Sequence, residues 1–440
     1  METLHKVFAA LALAGAVSLC AAQAQDEGWD SRNWESDDWD SGSENWNSGG
    51  WELHGFAELG YGEFTDNNDA VGRDATLQEF RGRLETSRYF GDLFASVKVD
   101  LLSDRVLDDN ELALREAYLL YSVGDMDLRA GRQILTWGTG DLVFLNDMFP
   151  KDWTSFFNGR DLEYLKAPSD ALKITWFNQH LNLDVVWTPE FDPDTYINGE
   201  RFSYFNPVVA DVVAAPPVFK GQRPGSSLGD GEFALRLFKN VGAYELALYG
   251  YRGYFKQPRG ADPASGRPYF PRLNVYGASA RGTLAGGIAN LEFAWRDSRE
   301  DSDGDDPRVS NSEYRFLTGY ERELIANLTL GLQYYLEWTA DYDRLIAASA
   351  APRFEQSERR HTLTARLTYR MLNDKLKWSL FAFHSPDEND TLAMPQVEYR
   401  HSDTLSFAAG FNIFDAERPY TFLGKFEQDS NVYVRMRYSF

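Results

Sequence analysis

Arginines recur at short, regular spacings in two stretches of this chain. RRHTLTARLTYRML places Arg366 and Arg370 four residues apart, and NVYVRMRYSF places Arg435 and Arg437 two apart. Side chains at even offsets along an extended strand project to one face, so each pair would set two guanidinium groups side by side. Such groups either bind the anionic part of a solute or pair with carboxylates of the protein itself. Covalent chemistry has less support. His54, His180, His361, His384 and His401 are scattered, none is spaced for a zinc pair, and no GxSxG elbow occurs. His384 beside Ser385 is the nearest approach to a hydrolytic pair. The acidic run Asp301 to Asp306 partly resembles a calcium loop, but its glycine is misplaced for an EF-hand and no acidic residue holds the twelfth position. The expectation is no enzyme, no metal site and no cofactor.

Rows of this kind need strands to position them, and the sequence supplies strands almost throughout. In ANLTLGLQYYLEWTADY, Leu328, Leu330, Leu332, Tyr334, Leu336 and Trp338 alternate with Thr329, Gly331, Gln333, Tyr335, Glu337 and Thr339. Period-two patterns of this type, in stretches of about 10 to 14 residues, recur from residue 51 to the end. Strands this long exceed the 5 or 6 residues usual in a sandwich. Short turns such as Phe90-Gly91-Asp92, Gly124-Asp125, Asn373-Asp374-Lys375 and His401-Ser402-Asp403 interleave with connections that are mostly longer and more polar. That asymmetry is the plan of a transmembrane antiparallel up-and-down β-barrel, all-β, with the short turns in the periplasm. Eighteen strands fit the pattern, near 126–136, 169–178 and 392–401 among others; sixteen is the alternative.

The N-terminal region reads differently. Lys6, the apolar run VFAALALAGAVSLCAA and the small residues Ala22 and Ala24 form a secretory signal peptide over 1–24. Residues 25–50 are acidic and carry Trp29, Trp34, Trp39 and Trp46 among Ser, Gly and Asn, which suits a disordered periplasmic leader before a barrel over 51–440. The single cysteine, Cys20, lies in the signal peptide, so the mature chain has no disulfide framework. Aromatic residues make up 15% of the chain although its mean hydropathy is −0.46, an unusual pairing for a soluble core. A net charge of −23 together with an export signal argues against nucleic acid as a partner.

GRQILTWGTGDLVFLNDMFPKDW (Gly131 to Trp153), GRDLEYLKAPSDALK (Gly159 to Lys173) and the YxRxRYSF ending resemble a broad group of Gram-negative porin-like barrels, themselves similar to alginate-export and phosphate-selective porins. The resemblance implies an outer-membrane location and carries over no substrate-binding residue. Phe440, after alternate apolar residues, resembles the C-terminal signal read by the barrel-assembly machinery. Expected partners are therefore outer-membrane lipid and lipopolysaccharide, that machinery, and small solutes; oligomeric state stays open.

Alternation places Arg81, Arg83, Lys98, Lys173, Arg236, Arg296, Arg366, Arg370, Lys377, Arg435 and Arg437 inside the barrel, with Glu85, Asp100, Glu245, Glu292, Glu337 and Glu398 as possible partners. They either pair across the wall or stay in part unpaired as a conduit for anionic or zwitterionic solutes. The long connections 138–169 and 190–230 either fold inward to narrow the channel or cap its rim. In the first, Arg160, Asp161, Glu163 and Lys166 would form a constriction or anchor the loop. The expected function is passive diffusion of small hydrophilic solutes, anionic ones among them, through an outer-membrane porin or substrate channel. The alternatives are an outer-membrane enzyme of the phospholipase type, or a sheath for another exported protein.

Overall fold

Alternating residues need two different environments, and here lipid-type and polar faces are separated by a single closed sheet. The computed structural model describes residues 50–440, so the expected signal peptide and all but the last residue of the expected leader lie outside the described residues. The wall strands are β1 (Glu52–Phe64), β2 (Ala75–Phe90), β3 (Leu93–Asp104), β4 (Asp109–Val123), β5 (Met126–Ile134), β6 (Pro168–Trp176), β7 (Asn182–Thr188), β8 (Glu232–Val241) and β9 (Tyr244–Tyr254). They continue as β10 (Arg272–Leu284), β11 (Gly287–Ser298), β12 (Glu313–Ile325), β13 (Leu328–Thr339), β14 (Arg359–Met371), β15 (Leu376–Ser385), β16 (Asp390–Arg400), β17 (Leu405–Ala416) and β18 (Asn431–Ser439). Each pairs antiparallel with the next, and β18 returns to β1, with Phe56 opposite Ser439 and Phe64 opposite Asn431. Gly55 and Phe440 extend this seam by exchanging N–H···O bonds of 3.0 and 2.9 Å. The eighteen-stranded sheet thus has no free edge, the condition for a sheet to cross lipid.

One end of the barrel carries tight turns. Gly124-Asp125 alone joins β4 to β5, with Val123 opposite Met126, and Gly124 takes a φ of +57°, which glycine adopts without steric cost. The other end carries the long connections. Two there are short, Arg105–Asp108 and Pro386–Asn389: β4 starts at Asp109 opposite Asp104, and β16 at Asp390 opposite Ser385, two residues earlier than its apolar alternation implies. Nor are the longest ones structureless. Residues 135–167 contain helix α1 (Trp153–Phe157) and a 3-10 turn (Leu162–Leu165), and residues 189–231 contain a small hairpin of Tyr204–Asn206 with Asp211–Val213.

The outward side chains are large, apolar and exposed, Leu59, Leu84, Leu112, Leu248 and Leu332 among them. Aromatic residues mark both rims: Tyr121, Trp176, Tyr244, Tyr399 and Tyr438 near the short turns, and Phe233, Tyr276, Trp295, Tyr314 and Trp338 toward the long connections. Such a belt between two girdles is the outer face of a transmembrane barrel.

Candidate functional site: the loop inside the barrel

Residues 135–167 leave β5, cross the interior to the opposite wall and return. The outward leg is held by polar groups that point inward from β11 and β13. Glu292 is 1% exposed and accepts N–H bonds from Thr139 and from Gly140, the latter at 2.8 Å, and Asn146 Nδ2 donates to it at 2.9 Å. Gln333 grips the backbone of a single residue by both its groups: Asp141 N donates to its Oε1 at 2.8 Å, and its Nε2 donates to Asp141 O at 2.9 Å. Arg366 on β14 closes this end with two bonds to the Asp141 carboxylate. Around these contacts, Leu135, Trp137, Val143 and Leu145 pack on Tyr249, Val275, Leu317 and Tyr335 of the wall.

The return leg docks on the seam side. Phe156 and Phe157 of α1 join Phe414 and Phe426 in an aromatic cluster, with Phe157 ring centroids 5.3 Å from Phe414 and 5.1 Å from Phe426. Asn412 and Asn431 both donate to Phe157 O, at 2.8 and 2.9 Å. The chain then passes over Tyr433 at Gly159, where φ is +81° and a Cβ would lie 2.1 Å from the tyrosine ring. Only glycine fits there. Arg160 forks onto Glu79, donating from Nε to Oε2 at 2.8 Å.

Asp161 sits 3.1 Å from Arg435 Nη1 and 3.4 Å from Arg437 Nη2, and both arginines also meet Glu58 of β1, at 3.2 and 2.9 Å. Glu163 reaches Arg83 at 2.8 Å, and Arg83 in turn binds Asp100, with its Nε 2.6 Å from Oδ1. Tyr164 ends the leg with its ring under three guanidinium groups, Arg81 at 4.0 Å, Arg115 at 4.6 Å and Arg83 at 5.0 Å. Burial opposes ionisation of Asp161, but Arg435 and Arg437 outweigh it and hold the carboxyl well below its usual range.

Of the cations expected inside the barrel from alternation, most meet a carboxylate. Lys98 lies 3.0 Å from Glu116, Arg236 2.5 Å from Glu245, and Lys377 3.1 Å from Glu398. Arg370 stands directly opposite Lys377 in the ladder. Arg366, Arg435 and Arg437 are ion-paired, the first of the two arrangements open to them: strand pairing and the inserted loop bring Asp141, Glu58 and Asp161 within reach. Arg160, Asp161 and Glu163 tie the loop to the wall, while the carbonyl oxygen of Lys166 accepts from Arg115 Nη2 at 2.9 Å. Alternation missed Arg115, which a register shift between Lys98 and Val99 turns inward beside Glu116, and it gave no hint of Arg201, which comes from the loop 189–231 to Asp104.

One part of the wall carries more cations than carboxylates. Arg259, Arg296 and Arg315 share Glu313 at 2.8, 3.6 and 2.6 Å, and Arg315 and Arg360 share Glu337. Arg360 lies 4.1 Å from the Phe422 ring, and Lys425 lies 5.1 Å from the same ring. The Lys425 ammonium makes no hydrogen bond or ion pair among the described residues; burial, then Arg259 and Arg360, push its pKa down to about 8. Glu388 and Asp390 flank the group but accept backbone N–H bonds from Phe422 and Leu423, at 3.0 and 2.8 Å.

Adjacent residues on a strand face opposite ways, so His384 and Ser385 form no pair. His384 Nδ1 is 3.0 Å from Thr391 Oγ1 on the outer face, while Ser385 is buried inside. In the acidic run, Asp301 accepts N–H bonds from Gly304, Asp305 and Asp306. Among the described residues no group of three or more His, Cys, Asp or Glu is arranged to hold a metal ion.

A closed eighteen-stranded barrel with a lipid-type belt and a loop folded into its interior is the architecture of Gram-negative outer-membrane porins. The chain belongs to the family described as a protein of unknown function, DUF1302, whose model matches residues 64–440. Among solved structures it is similar to OccD3 (OpdP) of Pseudomonas aeruginosa, at 11% identity over 89% of this chain and 91% of that one, with a TM-score of 0.54. It is also similar to OccAB3 of Acinetobacter baumannii, at 10% identity over 89% and 99% with a TM-score of 0.54. OpdK of Pseudomonas aeruginosa, solved with vanillate, matches at 11% identity over 89% and 98%, with a TM-score of 0.52. At such identities the likeness is one of fold. No curated protein matches the sequence.

Proposed function

We propose that this protein is an outer-membrane channel through which small hydrophilic solutes, anions among them, diffuse past a constriction built from residues 135–167. The observation that supports this reading is the inward course of that loop, clamped by Arg366 on one wall and by Arg435, Arg437 and Arg83 on the other. A rim cap would leave those interior arginines to solvent; a loop that crosses the interior narrows it and presents ionic groups to whatever passes. The cation excess at Arg259, Arg296, Arg315, Arg360 and Lys425 is the part of the interior suited to an anion. Its aromatic floor at Phe422 would accept a carboxylate with an apolar body, of the kind that OpdK was solved with.

Incorporating the purified full-length chain into planar bilayers tests the proposal. Discrete conductance steps, with a reversal potential displaced toward the anion in a salt gradient, are the expected result. Folded protein that inserts without conducting would overturn it in favour of a sheath.

A further inference from the structure

One row of outward side chains runs straight across the ladders of eight strands. From β7 to β14 it reads Val185, Leu235, Gly250, Tyr276, Trp295, Tyr314, Trp338 and Arg359, each opposite the next. Four of these are aromatic and neighbouring rings lie 5.5, 6.4 and 5.8 Å apart, so the girdle is continuous from Tyr276 onward. It is broken at Gly250. A Cβ built there would meet only Leu235 Cβ, at 3.9 Å, and the gap opens into a groove of roughly 430 Å³ on the outer face. Adjacent strands are spaced about 4.8 Å apart, so Leu235 and Tyr276 stand about 10 Å apart across the missing side chain, room for one hydrocarbon chain.

Directly above this notch, on the side of the long connections, the lining changes from apolar to cationic. Arg252 shares the face of Gly250 two residues on, and Arg299 and Asn274 line the same groove. Both arginines are exposed, and neither is ion-paired among the described residues. The nearest carboxylates are already engaged: Asp297 accepts from Asn274 Nδ2 at 3.0 Å, and Glu300 accepts from Arg272 N and Tyr269 OH at 2.9 and 2.7 Å. An acidic protein that places exposed guanidinium groups at this height is matched to phosphate, which arginine binds bidentately.

We propose that this groove seats a lipopolysaccharide molecule of the outer leaflet, one acyl chain lying in the notch at Gly250 and a phosphate of its glucosamine headgroup held by Arg252 and Arg299. The proposal rests on the outer-membrane reading of the barrel. It adds to the channel reading a bound lipid on the wall strands β8–β11, outside the conduit. The lipid completes the girdle where the protein leaves it open, and its phosphate gives Arg252 and Arg299 a bidentate partner.

The test is native mass spectrometry of the full-length protein in detergent, titrated with bis-phosphorylated hexa-acyl lipid A, its dephosphorylated form and phosphatidylglycerol. The wild type should retain one copy of the phosphorylated lipid A in preference to the other two. Arg252→Gln and Arg299→Gln should each weaken that retention roughly fivefold, the share of one cation facing an anionic lipid surface, without affecting the dephosphorylated form. Gly250→Leu should weaken both forms; should it not fold, the two arginine variants decide the matter. Equal retention of phosphatidylglycerol, or unaltered affinity in both arginine variants of a heat-modifiable protein, overturns the lipid site alone. Recovery of the wild type as a soluble protein would instead remove the membrane reading beneath it.

Discussion

Arg366 and Asp141 are 225 positions apart in sequence and joined in the structure by two hydrogen bonds, the Nη2–Oδ1 arm measuring 2.8 Å. One partner belongs to the wall and the other to the tip of the inserted loop, so this pair fixes how far the loop reaches. A hydrogen bond to a charged group contributes about 1.5–3 kcal/mol. Arg366→Gln and Asp141→Asn should each release the outward leg and raise single-channel conductance while the barrel stays heat-modifiable. Unchanged conductance in both would mean that Glu292 and Gln333 hold the leg without help.

Gly159→Ala tests the return leg by sterics alone. The added methyl collides with the Tyr433 ring on a backbone already at positive φ, so the loop must lift from β18. Limited proteolysis should cut between residues 150 and 167 in the variant and spare the wild type. Equal protection of the two would mean that the ring yields instead.

Asp161 gives the loop a pH dependence of known sign. Its carboxyl titrates below its unfolded value of about 4, so the pairing with Arg435 and Arg437 stabilises the docked loop above that value. That contribution falls away as pH drops through the folded pKa. Conductance should therefore be steady from pH 7 to 5, with any rise confined to strongly acid pH, below the usual carboxylate value of about 4. Asp161→Asn should show the raised value at every pH, and a variant with wild-type conductance at pH 7 would contradict the assignment.

Charge balance predicts selectivity. Each of Arg366, Arg435 and Arg437 is matched by a carboxylate, so replacing them by glutamine leaves Asp141, Glu58 and Asp161 unopposed. The reversal potential should move toward cations. Lys425→Gln, which strands no carboxylate partner, should move it in the same direction by a smaller step. A triple arginine variant with the selectivity of the wild type would show that solutes do not pass these groups.

Phe440 can be tested for assembly apart from pairing. Deleting it removes both bonds to Gly55 and the exposed ring, whereas Phe440→Ala removes the ring alone. If the ring is the proposed signal, both variants should reach the periplasm and accumulate less folded barrel. A normal yield from Phe440→Ala would leave Phe440 only its backbone role.

The wall was legible because period two is a local property. Leu328 to Trp338 announce one apolar face without reference to any other strand, and β13 keeps that alternation. The same rule found Glu292 and Arg366 inside the barrel. It had no means of finding Asp141, or the partners of Asp161, because the loop that carries them has no period and its course is set by distant groups. Nor does alternation survive an irregularity: at Lys98 and Val99 the register shifts, and Arg115 joins the tyrosine stack unannounced. The notch at Gly250 was invisible for a third reason. A glycine in a strand reads as a weak position, and only the ladder shows that it interrupts a row of aromatic rings.

The seam between β1 and β18 has a kinetic consequence. Every other ladder of the wall joins strands that are neighbours in sequence, and such local contacts form fast. The last ladder must bring together segments from opposite ends of the described residues. Each doubling of a closed loop costs only about 0.6 kcal/mol, so the long span weighs little at equilibrium, but the search for register is slow. Glu58 and Asp161 both grip Arg435 and Arg437, one from the first strand and one from the inserted loop. The loop therefore cannot take its final position on this side until the ring has shut, and once there it acts as a latch across the weld. Opening the seam would require undocking the loop, which makes channel geometry and barrel closure a single cooperative event.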